Sequence, residues 1–255
     1  MSKLTKALTA AAGNAGAGAL YVEDVFSTYL YDGNGTSQTI TNGIDLAGEG
    51  GLVWLKNRQT SFTYNVLYDT ERGTEKYLMT SNNSAEVTYS NNGVTSFNSD
   101  GFVVTGANDW YNISGQNIAS WTFRKAEKFF DVVTWVGSND SGTAIGKGIV
   151  PHNLGVAPAV VIVKNTTQDS TNWIVYHKNQ TTGYYSVLNL EAQQTNSGSV
   201  AYFSKYIDGV GWQQTNPDAD NIYVGYNYQT NSNSNTMVAY LFASDAGGFG
   251  DDGSE

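Results

Sequence analysis

From residue 22 onward, the apolar residues of this chain stand in short runs separated by clusters of glycine, asparagine, aspartate and serine. Leu52–Leu55 is a continuous apolar run of strand length, whereas Ile118–Phe123 alternates between a small or polar face and a face that ends in large aromatic residues. Turn signals such as Asp32-Gly33-Asn34-Gly35 close several runs. After Leu20 no segment has a 3.6-residue apolar period. The pattern therefore predicts an all-β chain of short strands.

This pattern occurs twice along the chain. Leu46–Asp69 is similar to Leu154–His177 at a constant spacing of 108 residues, as between Lys56 and Lys164. The closing strands match at a spacing of 119 residues, as between Phe123 and Phe242, so the second copy carries extra loop residues. A repeat of this length has the size of a small domain and is too long for a solenoid unit.

We therefore predict two tandem β-sandwich domains of jelly-roll or lectin-like type, residues 22–126 and residues 127–245. Such a duplication favours an extended, modular, surface-presented protein. The charged joint Arg124–Lys128 is too short to be a flexible tether, so we expect the two domains to touch.

Two short segments flank the repeats. Residues 1–21 carry two lysines and then an Ala/Gly-rich run whose glycines interrupt any apolar centre, which argues against a signal peptide. We predict a leader that is either flexible or forms, in its first dozen residues, a short helix that docks onto a partner. Residues 246–255 are rich in glycine and aspartate and are predicted to be a tail or a linker to another module.

Composition narrows the classes of function. The formal net charge is −10, which repels phosphate backbones, so we predict no nucleic-acid partner. The absence of cysteine excludes disulfides, thiolate catalysis and cysteine-ligated metals. No apolar run approaches the roughly 18 residues of a transmembrane helix, so no membrane insertion is predicted. Only 14% of residues are charged, which leaves a surface of neutral polar side chains.

Few side chains in this sequence are candidates for catalysis or metal binding. His152 and His177 are interpreted as loop histidines that hydrogen-bond nearby backbone. Asp69 and Glu71 form the best local carboxylate pair, but the adjacent arginine predicts a salt-bridged loop instead of a glycosidase site. We predict no catalytic residue, no metal site and no cofactor, and hence not an enzyme.

Aromatic residues form the remaining candidate sites. Four tryptophans in strand-like runs are predicted to fill the sandwich cores: Trp54, Trp121, Trp135 and Trp173. Trp110-Tyr111-Asn112 and Trp212-Gln213 instead combine an aromatic ring with amides, which suits stacking on a sugar, a wet protein contact or loop packing. The loops that differ most between the copies, Glu75–Ser96 and Tyr184–Gln214, are where we expect function to diverge.

Several strings in this chain together resemble the repeated module of virion structural and tail-fibre-like proteins of marine tailed bacteriophages. They are Gly51–Arg58 (GLVWLKNR), Leu67–Gly73 (LYDTERG), Ser96–Phe102 (SFNSDGF), Trp121–Ala126 (WTFRKA), Phe129–Val133 (FFDVV) and His152–Gly155 (HNLG). The resemblance covers nearly all of Tyr29–Phe249.

This resemblance implies a β-sandwich module, a place on the phage particle and no known catalytic residues. The expected role is a tail fibre, or its tail-attached N-terminal region, exposed at the particle surface and involved in host attachment. Residues 1–21 would dock to other tail proteins, the assembly would be a homotrimer, and a host surface glycan is a candidate ligand. A capsid-surface decoration protein and a carbohydrate-binding or carbohydrate-active lectin-like protein are the alternatives.

Overall fold

The computed structural model describes residues 20–59, 64–138, 140, 142–191, 195–196 and 202–244. Within these residues a single helical turn, α1 (Val22–Val25), precedes 19 β-strands, so the prediction of an all-β chain is confirmed. No helix in this part of the chain has the length and apolar character needed to cross a membrane. Most of the predicted leader and all of the predicted tail lie outside the described residues.

The strands divide into two sets along the chain. The first set is β1 (Phe26–Asp32), β2 (Gln38–Thr41), β3 (Gly51–Asn57), β4 (Val66–Asp69), β5 (Lys76–Met79), β6 (Val87–Thr88), β7 (Gly93–Asn98), β8 (Gly101–Thr105) and β9 (Asn117–Arg124). The second set is β10 (Phe130–Val136), β11 (Ile149–Pro151), β12 (Val160–Asn165), β13 (Ile174–His177), β14 (Tyr184–Val187), β15 (Thr195–Asn196), β16 (Ser204–Ile207), β17 (Gly211–Gln214), β18 (Asn221–Tyr223) and β19 (Thr236–Phe242).

Each set builds a six-stranded antiparallel sheet with the same strand order. The first sheet runs β1-β9-β3-β4-β5-β6 and the second runs β10-β19-β12-β13-β14-β15. Leu52 pairs with Phe123 in the first sheet, and Val160 pairs with Phe242 in the second. These pairs reproduce both spacings seen in the sequence, and the two halves share one sheet topology.

A smaller layer covers one face of each large sheet. In the first half it is the three-stranded sheet β2-β8-β7, and Ile40, Phe102 and Val104 of this layer pack against Val53 and Leu55. In the second half the pair β11-β18 and the hairpin β16-β17 take its place. Each half is therefore a sandwich with its own core.

A third core lies between the two large sheets. Leu52 of β3 and Leu67 of β4 pack there with Phe130 of β10 and with Val238 and Tyr240 of β19. Side chains of one strand thus alternate between a sandwich core and this inter-sheet core, which is why β3 and β19 are buried along almost their whole length. The expected extended arrangement is therefore wrong, because the halves stack face to face.

The tryptophans follow this arrangement. Trp135 fills the second sandwich core as predicted. Trp173 is fully buried in the inter-sheet core, and the partly buried Trp54 packs against that core. Trp121 is only half-buried and meets Trp54 edge-on at 6.3 Å between ring centres. The prediction that all four fill sandwich cores is therefore wrong for Trp54, Trp121 and Trp173, because both faces of each large sheet are covered.

The chain enters and leaves this body at one corner. The ring centres of Phe26, at the start of β1, and Phe242, at the end of β19, lie 4.8 Å and 5.4 Å from that of Phe123. The joint between the halves lies at the same corner, where Lys125 Nζ is 2.8 Å from Glu71 and 3.3 Å from Asp131. The expected contact between the two halves is confirmed.

Candidate binding surfaces

The loop that contains Trp110, Tyr111 and Asn112 folds back on itself and into the first core. The Asn108 side chain accepts a hydrogen bond from the Trp110 backbone at 2.9 Å, and the Asn112 backbone donates to the Asn108 carbonyl at 3.0 Å. This turn carries Tyr111 and Asn112 inward, and both are 0% exposed. Of the three predicted roles, sugar stacking and a wet protein contact are therefore wrong for these two residues, and loop packing describes them.

The Asn112 amide is used by the backbone around it. Its Nδ2 donates to the carbonyl of Thr36 at 2.5 Å and to that of Gly106 at 2.9 Å. Its Oδ1 accepts from Gln38 Nε2 at 2.6 Å. The side chain thus bonds polar groups of two segments, Thr36–Gln38 and Gly106, which is a structural task that leaves nothing for a ligand.

The second half contains a copy of this loop that the sequence analysis missed. Asn227 and Asn231 lie 119 residues after Asn108 and Asn112 and make equivalent bonds. The Asn227 side chain accepts from the Gln229 backbone at 2.9 Å, and Asn231 Nδ2 donates to the Ile145 carbonyl at 2.9 Å. The spacing of the closing strands, extended backward along the chain, would have revealed this copy.

We expect Asn112→Ala and Asn231→Ala each to lower the free energy of unfolding by about 1–3 kcal/mol, because each leaves buried backbone groups without a partner. The two losses should add, since the sites lie in different halves and share no partner. Urea unfolding of the single and double variants measures this. A loss below about 0.5 kcal/mol in either single variant would contradict the structural role.

Trp110, Trp212 and Gln213 keep part of their surface. Trp110 is half-buried and packs edge-on against Tyr64 at 5.1 Å. Trp212 lies on β17, half-buried against Tyr206 at 5.8 Å, beside the exposed Gln213. Because Trp110 packs against the first core and Trp212 lies on the β16–β17 hairpin of the second half, the fold does not bring them into one site. Contact through either of them remains a prediction.

The carboxylate pair is structural, and the predicted salt-bridged loop is confirmed. Asp69 is 0% exposed and lies 2.6 Å from Arg72 Nε, while Glu71 bonds Lys125. Arg72 also reaches Glu86 at 3.1 Å, and the Tyr240 hydroxyl of the second half donates to Asp69 at 2.7 Å. Asp69 and Arg72 therefore form a buried ion pair beside the inter-sheet core.

Electrostatics keep this arginine charged. Burial alone would lower the pKa of Arg72, but Asp69, Tyr240 and Glu86 outweigh burial and raise the pKa above its ordinary value. Arg72 therefore keeps its charge across the pH range in which proteins work.

Both histidines bond to backbone, as predicted. His152 Nδ1 accepts from the Leu154 backbone at 3.2 Å, and His152 Nε2 lies 3.1 Å from the Asp218 carbonyl. Burial lowers the pKa of His152, which favours the neutral ring. His177 Nδ1 accepts from the Asn179 backbone at 3.2 Å. The described residues contain no group of three or more His, Asp or Glu side chains that could hold a metal ion.

A buried lysine on the inter-sheet face was not anticipated. Lys164 is 0% exposed, and its Nζ donates to Thr171 Oγ1 at 2.7 Å and to the Asn165 carbonyl at 2.8 Å. Burial lowers the pKa of Lys164 to about 8. A lysine beside a threonine hydroxyl has the composition of a nucleophilic dyad. Thr171 is also 0% exposed, however, so no substrate can reach the pair.

We expect Lys164→Met to stabilise the protein at pH 7 by up to about 3 kcal/mol, because it removes a buried charge that forms no ion pair with any described carboxylate, the nearest influence being the more distant Asp169. The folded pKa lies below the ordinary value of 10.5, so the unfolded state binds more protons between about pH 8 and 10.5. Wild-type stability relative to the variant should therefore rise with pH in that window. Urea unfolding of both proteins at pH 7.0, 8.5 and 9.5 measures the difference.

A constant difference over those three pH values would contradict this assignment of Lys164. Measurements stay below pH 10 because burial raises the pKa of Tyr31, Tyr68 and Tyr240. The unfolded state would release those tyrosine protons first, so stability would fall at higher pH in wild type and variant alike.

A tyrosine-lined groove lies on the second half. It runs between the β13–β14 turn, Gln180–Tyr185, and the segments that flank the β16–β17 hairpin, Tyr202–Phe203 and Thr215–Asn216. The rings of Tyr185 and Tyr202 lie 4.3 Å apart at 44°. We call this feature the tyrosine groove.

The sequence pattern marked only part of this groove. Of its described lining residues, Tyr184, Tyr185, Tyr202 and Phe203 fall within the segment Tyr184–Gln214, where the two copies differ most. Its aromatic residues come from β13, from β14 and from a loop far along the chain, so no local motif marks them.

Comparison with known proteins gives one match. Residues 22–254 match a family described as a domain of unknown function (DUF7483). No curated protein and no solved structure matches the chain. Because the match spans nearly all of both halves, the duplicated unit as a whole, with its two sandwiches, belongs to the DUF7483 family.

Proposed function

We propose that this protein is a structural virion protein of a tailed bacteriophage, a tail fibre or its tail-attached N-terminal region, exposed at the particle surface and engaged in host attachment. The sequence strings that resemble tail-fibre-like proteins support a location on the phage particle. The fold supports a binding and structural role that does not include catalysis.

One observation supports a function other than catalysis. The side chains with the strongest chemical potential, Asp69, Arg72 and Lys164, are buried and bonded at the interface of the two large sheets. Catalytic groups must reach a substrate, and these groups are enclosed in the protein instead. Asp69 and Arg72 bond Tyr240 of the other half, and Lys164 bonds only residues of its own half.

The corner at Phe123 indicates how such a body could be attached to a particle. Since Phe26 and Phe242 both touch this residue, the body projects from one attachment point. It therefore suits a knob that presents its loops outward better than a length of fibre shaft. We propose that residues 1–21 dock to other tail proteins and that three copies assemble, so that weak contacts gain avidity.

Electron microscopy of intact particles, labelled with an antibody against this chain, tests the proposal. Label that is confined to the tail vertex and extends outward is the expected result. Label distributed over the capsid would instead assign the decoration role, and absence of label from particles would remove the virion role altogether. A matched antibody against a major capsid protein controls for access.

A further inference from the structure

The tyrosine groove has the composition of a ligand site. Among the described residues, its walls are tyrosine, phenylalanine, threonine, glutamine, asparagine and glycine, and none carries a charge. Tyr176 and Phe203 form an apolar floor, with ring centres 5.5 Å apart. A neutral wall of this kind offers nothing to a phosphate, a carboxylate or a cation.

The shape of the groove limits what it can hold. The enclosed cavity volume is about 10 Å³, which is room for one water molecule. A ligand must therefore lie along the rim, with one flat face against the tyrosines and its polar groups toward Thr215 and Asn216. A sugar ring has this form, since its C–H face stacks on an aromatic ring while its hydroxyls bond to amides and hydroxyls.

The first copy shows how the duplicated scaffold was changed at this place. Tyr184 occupies the position that Lys76 has in the first half, because Tyr184 pairs with Asn196 as Lys76 pairs with Thr88. Gly183 likewise replaces Glu75, and both positions have positive φ, 88° and 65°. Two charged residues of the first copy are thus neutral in the second.

A further exchange opens the groove. In the first half Trp110 packs edge-on against Tyr77 at 5.6 Å and fills the space beside it. In the second half Gln229 stands at the equivalent position and donates to the Tyr202 hydroxyl at 2.9 Å. Gln229 thereby holds Tyr202 next to Tyr185, the counterpart of Tyr77, and completes a pair of tyrosine rings.

We propose that the tyrosine groove binds a neutral saccharide, with Tyr184, Tyr185 and Tyr202 as the stacking residues and Asn216 as the hydrogen-bonding residue. The inference rests on the proposed function only for the source of the sugar, a glycan on the host surface. The binding itself is a property of the isolated chain.

Saturation-transfer NMR on the purified full chain tests this site, with neutral gluco-, galacto- and manno-tetrasaccharides as probes and oligogalacturonate as the charged comparison. We expect transfer to the ring C–H protons of at least one neutral probe and none to oligogalacturonate. Tyr184→Lys, which restores the residue of the first copy, should weaken binding at least about tenfold. Tyr89→Ala, at an exposed tyrosine of the first half, should leave binding unchanged.

Asn216→Ala serves as a second groove variant, because Asn216 is exposed and its loss should not affect folding. Binding that is equal in wild type, Tyr184→Lys and Asn216→Ala would overturn the site, as would absence of transfer to every neutral probe. Saturation transfer to a neutral probe, combined with particles that carry no antibody label, would remove the virion role and keep the groove as a saccharide site. Antibody label on the tails, combined with no saturation transfer, would keep the virion role and remove the saccharide site.

Discussion

Asp69→Ala should lower the free energy of unfolding by about 3–5 kcal/mol, because it leaves the buried Arg72 guanidinium with only the more exposed Glu86 as a carboxylate partner and removes the acceptor of the Tyr240 hydroxyl. Arg72 is 7% exposed and bonds Asp69, Glu86 and the Leu67 carbonyl, so it cannot move into water without disrupting β4 and β5. Urea unfolding followed by far-UV circular dichroism measures the loss.

A matched double variant separates the ion pair from packing. Asp69→Leu combined with Arg72→Met replaces both charges with apolar groups, and we expect it to recover most of the loss. Tyr240→Phe, which removes only the hydroxyl that donates to Asp69, should cost about 1–2 kcal/mol. A double variant no more stable than Asp69→Ala would mean that the pair stabilises the fold beyond the cost of an orphaned charge.

Trp173→Ala should cost about 3–5 kcal/mol, since it opens a large cavity between the two six-stranded sheets. The indole is 0% exposed and stacks with Tyr240 at 6.3 Å. Its Nε1 donates across the interface to the carbonyls of Met79 at 3.0 Å and Asn82 at 3.1 Å. Equilibrium unfolding in guanidinium chloride gives the change.

Two comparisons interpret that result. Trp173→Phe keeps most of the apolar contact but removes the donor, so it should cost about 1–3 kcal/mol. Trp212→Ala, at a half-buried position on the β16–β17 hairpin, should cost less than Trp173→Ala because its cavity opens to solvent. If Trp173→Ala proved no worse than Trp212→Ala, the inter-sheet core would not be the feature that joins the halves.

The strands and the duplication were predictable because they depend on local periodicity. The apolar run Leu52–Leu55 indicated a buried strand, and the spacings of 108 and 119 residues identified its partners in both halves. The loop roles of Asp69 and His152 followed from their neighbours along the chain.

The stacking of the halves was not predictable in the same way. A continuous apolar run is compatible with a strand buried on one face or on both, so Leu52 and Val53 gave no sign that they face different cores. The prediction of Asn112 as a contact residue failed for a related reason. An amide beside aromatic residues looks identical in sequence whether it binds a ligand or satisfies buried carbonyls, as Asn112 does for Thr36 and Gly106.

The shared corner at Phe123 has a mechanical consequence. A pulling force applied through the segments that precede Phe26 and follow Phe242 meets the body at two neighbouring points, so the tension passes across a few aromatic contacts. The two sandwich cores lie outside that path of force, whereas Phe123 and Phe242 pack against the inter-sheet core. Such a body can change its orientation or bear tension at its point of attachment while its loops keep their geometry. Unfolding under force would begin with the separation of β1 or β19 from the sheets at this corner.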